Sequence, residues 1–309
     1  MKLPFIIVGL FTFTIKIYNI YGLGINVATS QISDFVVNDD LWISWINKIQ
    51  DTISPEIKYF WRDTTQLQKQ YNAWKNKTSA IISIQNNELP LSMEQAFSIL
   101  NIFNKYNHII KAYTIGNELD SKLTPKEFKI KVWDSIQNLN HVMKEMNISI
   151  PITTPLSLSI FHWEEMILQN EWKETFLNLL QFYNETNSYI MFNIYPYLSW
   201  KNNKTKYTLQ YSITTMFSDK IHKIEKILRS YHHYHLNLII GETGWPTDDK
   251  LEYNEGANVQ NAYKYFNIIK DIKDYDIYWF ELIDEGKKPG TDDEHYYGLF
   301  KTNGVYKFT

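Results

Sequence analysis

The sequence predicts a single (β/α)8 barrel of the α/β class, and three observations carry that prediction. Eight short apolar or β-branched runs recur from residue 24 onward, and amphipathic segments with helix-start signals lie between them. No Gly/Ser-rich, Pro-rich or low-complexity linker divides the chain. With 309 residues and 44% hydrophobic content, there is enough chain for one large core. An open, doubly wound sheet is the alternative that the same alternation allows.

In order, residues 1–22 read as a secretory leader rather than as part of the fold. Lys2 is followed by an apolar run from Leu3 to Ile15, and the stretch ends on the small residue of Ile20-Tyr-Gly22. That run is too short and too early for a spanning helix, although an uncleaved anchor is the competing reading. The barrel domain is then expected over residues 23–309. Its strands are expected at Gly24 to Ala28, Glu56 to Arg62, Ser79 to Ile84, Lys111 to Glu118, Pro151 to Pro155, Tyr189 to Pro196, Asn237 to Gly244 and Ile277 to Glu285. Asn38-Asp-Asp40 precedes an apolar stripe at Leu41, Trp45 and Ile49, and Leu91-Ser-Met-Glu94 opens one through Phe97, Leu100 and Ile102. Thr124-Pro-Lys-Glu127 has the pattern of a capping box with Pro at the first helical position. Ser218 to His222 leads into Ile224, Ile227 and Leu228, and Ala257 to Ile269 carries the helix before the last strand.

Composition excludes several classes. A net charge of −3 offers no basic field for nucleic acid or an anionic membrane. The absence of cysteine rules out disulfides, a thiolate nucleophile and Cys-ligated metal. The first strand ends in Ala28-Thr29-Ser30, with none of the glycine spacing of a phosphate-binding loop. His232-His-Tyr-His235 precedes the seventh strand, which puts it on the amino-terminal face, away from a barrel's chemistry; a solvated loop accounts for it better than a metal site. Asn76-Lys-Thr78, Asn147-Ile-Ser149, Asn184-Glu-Thr186 and Asn203-Lys-Thr205 fit the N-glycosylation pattern, in keeping with secretion. The C-terminal Gly304-Val-Tyr-Lys-Phe-Thr309 carries no hydrophobic tail, so no membrane stop or lipid-anchor signal is visible there.

A barrel places its active site at the carboxyl ends of its strands. The fourth strand ends Tyr113-Thr-Ile-Gly-Asn-Glu118, the sixth Asn193-Ile-Tyr-Pro-Tyr197, the seventh at Glu242, and the eighth at Asp284-Glu285, followed by Lys287 and Lys288. Glu242 alone could equally cap the next helix. Glu118 gives it a partner across the mouth, and two carboxylates flanking a cleft are the minimum machinery for glycosidic cleavage. Asn117, beside Glu118, can bind the sugar hydroxyl next to the reacting carbon. Aromatic residues make up 16% of the chain. Exposed aromatic rings can stack on the apolar face of a sugar, and Trp245 and then Trp200 are the candidates.

These motifs resemble glycoside hydrolase family 17, the plant-type β-1,3-glucanases of clan A. The resemblance rests on Thr114-Ile-Gly-Asn-Glu118, Asn193-Ile-Tyr-Pro-Tyr197, Gly241-Glu-Thr-Gly-Trp-Pro246, Asp284-Glu-Gly-Lys-Lys-Pro289, Glu294-His-Tyr-Tyr-Gly-Leu-Phe300 and the loop Ile84-Gln-Asn-Asn-Glu-Leu-Pro90. It implies a secreted, monomeric retaining enzyme acting on β-1,3-glucan without cofactor or metal. Glu118 would be the acid/base, its pKa raised chiefly by the charge of Glu242, and Glu242 the nucleophile. It also implies that Tyr195 hydrogen-bonds the nucleophile and that Glu285, Lys288 and Glu294 form a charge group near the centre, which either contacts sugar hydroxyls or serves as a structural ion-pair cluster. Departures lie in the first two strands: Val27-Ala28 stands where Tyr-Gly is usual, and Phe60-Trp-Arg-Asp63 leaves it open whether Arg62 replaces the family's strand-two arginine. Glu281 is a charge in the apolar eighth run, to be paired with a lysine or added to the acidic site. A transglycosylase would use the same residues, and a catalytically silent glucan-binding protein is the reading from another class.

Overall fold

The structure is a computed structural model and describes residues 23–27, 44, 48–49, 56–60, 79–162, 167–233, 235–247, 256–286 and 292–308. The expected leader, the helix start at Asn38, and Ala28, Arg62, Asn76, Lys287 and Lys288 lie outside these residues.

Eight parallel strands form the barrel: β1 Leu23–Val27, β2 Glu56–Phe60, β3 Ser79–Ile84, β4 Ile110–Ile115, β5 in two pieces (Ile152–Thr153 and Pro155–Leu156), β6 Ile190–Asn193, β7 Leu238–Thr243 and β8 Asp276–Trp279. Neighbours in sequence are neighbours in the sheet, and β1 pairs with β8 through Leu23 and Ile277. The ring closes at β5. Its first piece pairs with Tyr113 and Thr114 of β4, its second with Met191 and Phe192 of β6. Thr154 turns between the pieces and donates its hydroxyl to the carbonyl of Ile115 at 2.7 Å. Closure decides against the open-sheet alternative: every strand is paired on both sides, and no edge is left exposed.

The strands read as unbroken apolar runs because both faces are covered. One face packs against the helices. On the other, Ile81, Ala112, Met191, Ile239 and Tyr278 from five strands form a separate buried cluster, the filling of the barrel interior. Gly241 belongs to this tight interior, since a Cβ there would stand 2.7 Å from Met191 Sδ and 2.9 Å from Asn193 Oδ1. At the amino-terminal end Lys111 bridges to Asp276 at 2.6 Å.

The helices follow their sequence signals with shifts of a few residues. Ser92 caps Met93–Phe103 in a reciprocal box with Gln95. That helix buries Ala96, Ile99, Leu100 and Phe103, leaving Phe97 and Ile102 largely exposed, so the stripe expected through Phe97 and Ile102 is rotated by one position. Thr124 and Glu127 form the expected capping box, with Pro125 at the first helical position. Helices Asp134–Glu145, Lys173–Glu185, Met216–Ser230 and Val259–Asp271 complete the surround. No helix among the described residues is long and apolar enough to cross a membrane.

Candidate active site

The carboxyl ends of β2, β4, β6 and β7 bring one cluster together. Glu242, buried near the end of β7, is gripped at both oxygens. Lys58 Nζ lies 2.9 Å from Oε1, and the Tyr195 hydroxyl donates to Oε2 at 2.9 Å. Lys58 comes from β2 and is completely buried, one layer below the mouth, level with Asn26 of β1 and Ile81 of β3. A charge so placed needs an opposite charge, and Glu242 supplies it. Burial first, then the charges of Glu242 and Glu118, hold the Tyr195 phenol well above its usual range, so it remains a hydrogen-bond donor.

Glu118 follows β4 in the left-handed region at φ 53°, two residues beyond Gly116 at φ 66°. A non-glycine residue there costs on the order of 1–2 kcal/mol, and the surroundings hold it in place. Asn86 clamps the backbone of Asn117, donating to its carbonyl at 3.0 Å and accepting from its N–H at 2.7 Å. The Glu118 N–H donates to the carbonyl of Pro155 at 3.0 Å. Asn193 Nδ2, from the end of β6, donates both to Glu118 Oε1 at 3.0 Å and to Asn117 Oδ1 at 3.1 Å. Burial pushes the Glu118 carboxyl up to about 7. The charges of Glu242 and then Asp120 add to that rise, against the Asn193 hydrogen bond and the charge of Lys58. The expectation that Glu242 would be the chief cause is therefore corrected: loss of water is the larger effect and the neighbouring charge the second.

Asp120 braces this corner. It accepts from the Ser157 N–H at 2.9 Å, from the Ser157 hydroxyl at 2.7 Å and from the Ser159 hydroxyl at 2.9 Å, tying the loop after β4 to the loop after β5.

Trp245 is not the expected platform. Its side chain is fully buried, its ring 5.4 Å from both Tyr197 and Tyr265, and its Nε1 donates to the Gly256 carbonyl at 2.7 Å. Burying an indole of this size stabilises by about 4–6 kcal/mol, which favours an anchor beneath the β7 end over an exposed surface. Trp200 is likewise buried, 5.9 Å from Tyr197, with Lys204 over its ring.

Of the acid-base group expected beyond β8, Lys288 lies outside the described residues. Glu285 and Glu294 are both partly exposed; the Glu285 N–H donates to the His295 carbonyl, which ties their two segments together. A buried ion pair in the same region joins Asp284 to Lys307 at 2.5 Å, and Lys307 also donates to the Thr247 hydroxyl at 2.6 Å. Asp293 accepts from the Tyr197 hydroxyl at 2.9 Å and pairs with Lys201. Glu281 is fully buried, its N–H donating to Tyr297 and its carbonyl accepting from Leu299.

Lys58, Asn86 and the bridging role of Asn193 were missed in the sequence. A signal for Lys58 was present: a lysine set between Ile57 and Tyr59-Phe60, inside a strand that pairs in register with Asn26. Among the described residues no group of His, Cys, Asp or Glu side chains is placed to hold a metal ion.

Paired acids at the carboxyl-end mouth of a closed barrel place the protein among the barrel-type glycoside hydrolases. Residues 76–309 match the family described as Glycosyl hydrolases family 17, and the chain belongs to that family. It is 24% identical to a glucan endo-1,3-β-D-glucosidase of Olea europaea, covering 91% of this chain and 68% of that one. It is 28% identical to glucan endo-1,3-β-glucosidase 11 of Arabidopsis thaliana, over 65% of this chain but 55% of the relative; the chain thus spans little more than half of that protein. Among solved structures, the β-1,3-glucanase and allergen CJP38 of Cryptomeria japonica pollen superposes with a TM-score of 0.74 at 19% identity, covering 93% of this chain and 98% of that one. An active-site mutant of a Rhizomucor miehei β-1,3-glucanosyltransferase superposes at 0.57 and 14% identity, covering 93% and 97%. At these identities the superpositions establish the shared barrel.

Proposed function

We propose that the chain is a secreted, monomeric, retaining endo-β-1,3-glucan hydrolase, with Glu242 as nucleophile and Glu118 as acid/base. The observation that carries this reading is the unequal treatment of the two carboxyls. Glu242 is paired with the Lys58 ammonium and accepts from the Tyr195 phenol, while Glu118 is raised to about 7 and so keeps its proton in weakly acidic solution. Glu242 would attack the anomeric carbon as Glu118 protonates the departing sugar oxygen. With its neighbour's charge consumed in the glycosyl bond, Glu118 would fall in pKa and take a proton from water, which then releases the sugar. Direct attack requires the carboxyl groups to stand about 5–5.5 Å apart. Asn117 would hold the hydroxyl beside the reacting carbon, with Glu285, Lys288 and Glu294 contacting hydroxyls farther along the cleft. The names of the olive and Arabidopsis relatives support the substrate class, and the leader expected at residues 1–22 supports secretion.

Laminarin is the substrate for the test. Reducing ends should appear with the parent protein and fall at least about 10³-fold with Glu242→Gln, while that variant still binds laminarihexaose. Substantial residual turnover would defeat the nucleophile assignment, and a parent protein that binds without cleaving would make this a glucan-binding protein. Products longer than a laminarihexaose donor would favour transfer over hydrolysis.

A further inference from the structure

On the face opposite the catalytic mouth lies a groove of about 670 Å³, between helices Asp134–Glu145 and Lys173–Glu185. Its end wall is residues 148–151, just before β5, and 186–187, just before β6. We propose that this groove is a second glucan-binding site, holding a strand of substrate that is not being cleaved; the choice of glucan rests on the function proposed above.

The lining argues for a neutral, polyhydroxylated ligand. Gln137, Asn140 and Lys144 project from one helix and Asn178, Gln181 and Glu185 from the other, each set spaced by three and then four residues. That spacing puts each set on one helix face, so the groove has two facing rails, mostly of amides. Each amide offers a donor and an acceptor, which matches sugar hydroxyls. The single lysine and single glutamate cancel, which leaves no net field for a phosphate or another charged ligand. Between the rails, the partly buried Trp133 supplies apolar surface, with the buried Met143 and Phe182 packed beneath it. Trp133 is only partly buried and meets Phe182 edge-on at 5.9 Å, leaving indole surface available to the C–H face of a pyranose. The volume falls within the range of small-ligand sites.

The same chemistry would accept the N-acetylglucosamine of a chain linked to Asn147 or Asn184, whose acceptor sequences border the groove. Full-length protein made without glycosylation separates the two sources.

The experiment uses unglycosylated Glu242→Gln protein titrated calorimetrically with laminarihexaose. Two sites per chain are expected. Trp133→Ala, or the gentler pair Gln137→Ala with Gln181→Ala, should reduce this to one. In the active protein the same substitutions should leave kcat/KM for laminarihexaose within about twofold, while retention on insoluble β-1,3-glucan falls at least fivefold. If the mouth does not hold glucan but the groove does, one titratable site remains that the groove variants abolish, whereas failure of the nucleophile reading alone shows as cleavage of the hexaose by the Glu242→Gln protein. A single site untouched by both groove variants overturns the proposal, as does tighter binding of N,N′-diacetylchitobiose than of laminarihexaose in the groove.

Discussion

At the scale of single residues, the proposed site turns on one lysine that would make no bond itself. Lys58 lies wholly inside the barrel, and its charge both pairs Glu242 and lowers the proton affinity of Glu118. Replacing it by Met is expected to lower kcat by at least about 10², the range for losing one preorganised charge contact. It should also move the alkaline limb of the pH profile upward. A purely structural lysine would leave that limb where it was, so the profile separates the two roles. In the parent protein the limb follows from Glu118: its carboxyl is raised to about 7, so the protonated acid is lost as pH passes that value, and kcat/KM should fall with a midpoint near 7. The linkage has the same sign. The folded state holds this proton more tightly than the unfolded chain does, so the group's contribution to stability is full below the free value of 4.5 and is lost as pH rises through about 7. Tyr195→Phe removes one hydrogen bond to Glu242 with little change in shape. A loss of roughly tenfold in kcat with KM nearly unchanged is expected, measured on laminarihexaose.

At the scale of elements, the important one is the turn that ends β4. Its dipeptide Asn117-Glu118 was legible from residue types alone, whereas its conformation was not. Gly116 at φ 66° leaves no room for a side chain, because a Cβ would stand 2.7 Å from Leu119 Cδ1, 3.0 Å from Asn86 Oδ1 and 3.1 Å from Leu89 Cδ1. Gly116→Ala is therefore expected to destabilise by about 1–3 kcal/mol, read from the urea midpoint, and to lower kcat more than it raises KM. The tryptophan of Gly241-Glu-Thr-Gly-Trp-Pro246 teaches a related lesson. Its type suggested a sugar platform, but sequence does not encode which way a side chain leaves a strand end. Here Gly244 passes so close to Phe280 that a Cβ would meet its carbonyl at 2.3 Å, and the chain then turns Trp245 inward onto Tyr197 and Tyr265.

At the scale of the whole molecule, the last residues close over the end of β8. Residues 297–300 run alongside 281–284, with the Leu299 and Phe300 N–H groups donating to the Glu281 and Leu282 carbonyls. Lys307 then locks the end of the chain onto Asp284. Lys307→Met strands a buried carboxylate and is expected to cost about 3–5 kcal/mol in denaturant unfolding. Combining it with Asp284→Asn should recover part of that loss, because the uncompensated charge is gone. The sequence by itself determined the eightfold alternation, the order of the strands and the two acids at the ends of β4 and β7, because buried parallel strands and their helices carry strong local periodicities. Only the tertiary structure decided that Lys58 meets Glu242 from 184 positions away, that Trp245 serves the core, and that the buried pair after β8 is Asp284 with Lys307. Such contacts depend on the inward or outward parity of strands that meet only when the barrel closes, and no local pattern records which side chains that closure brings within reach.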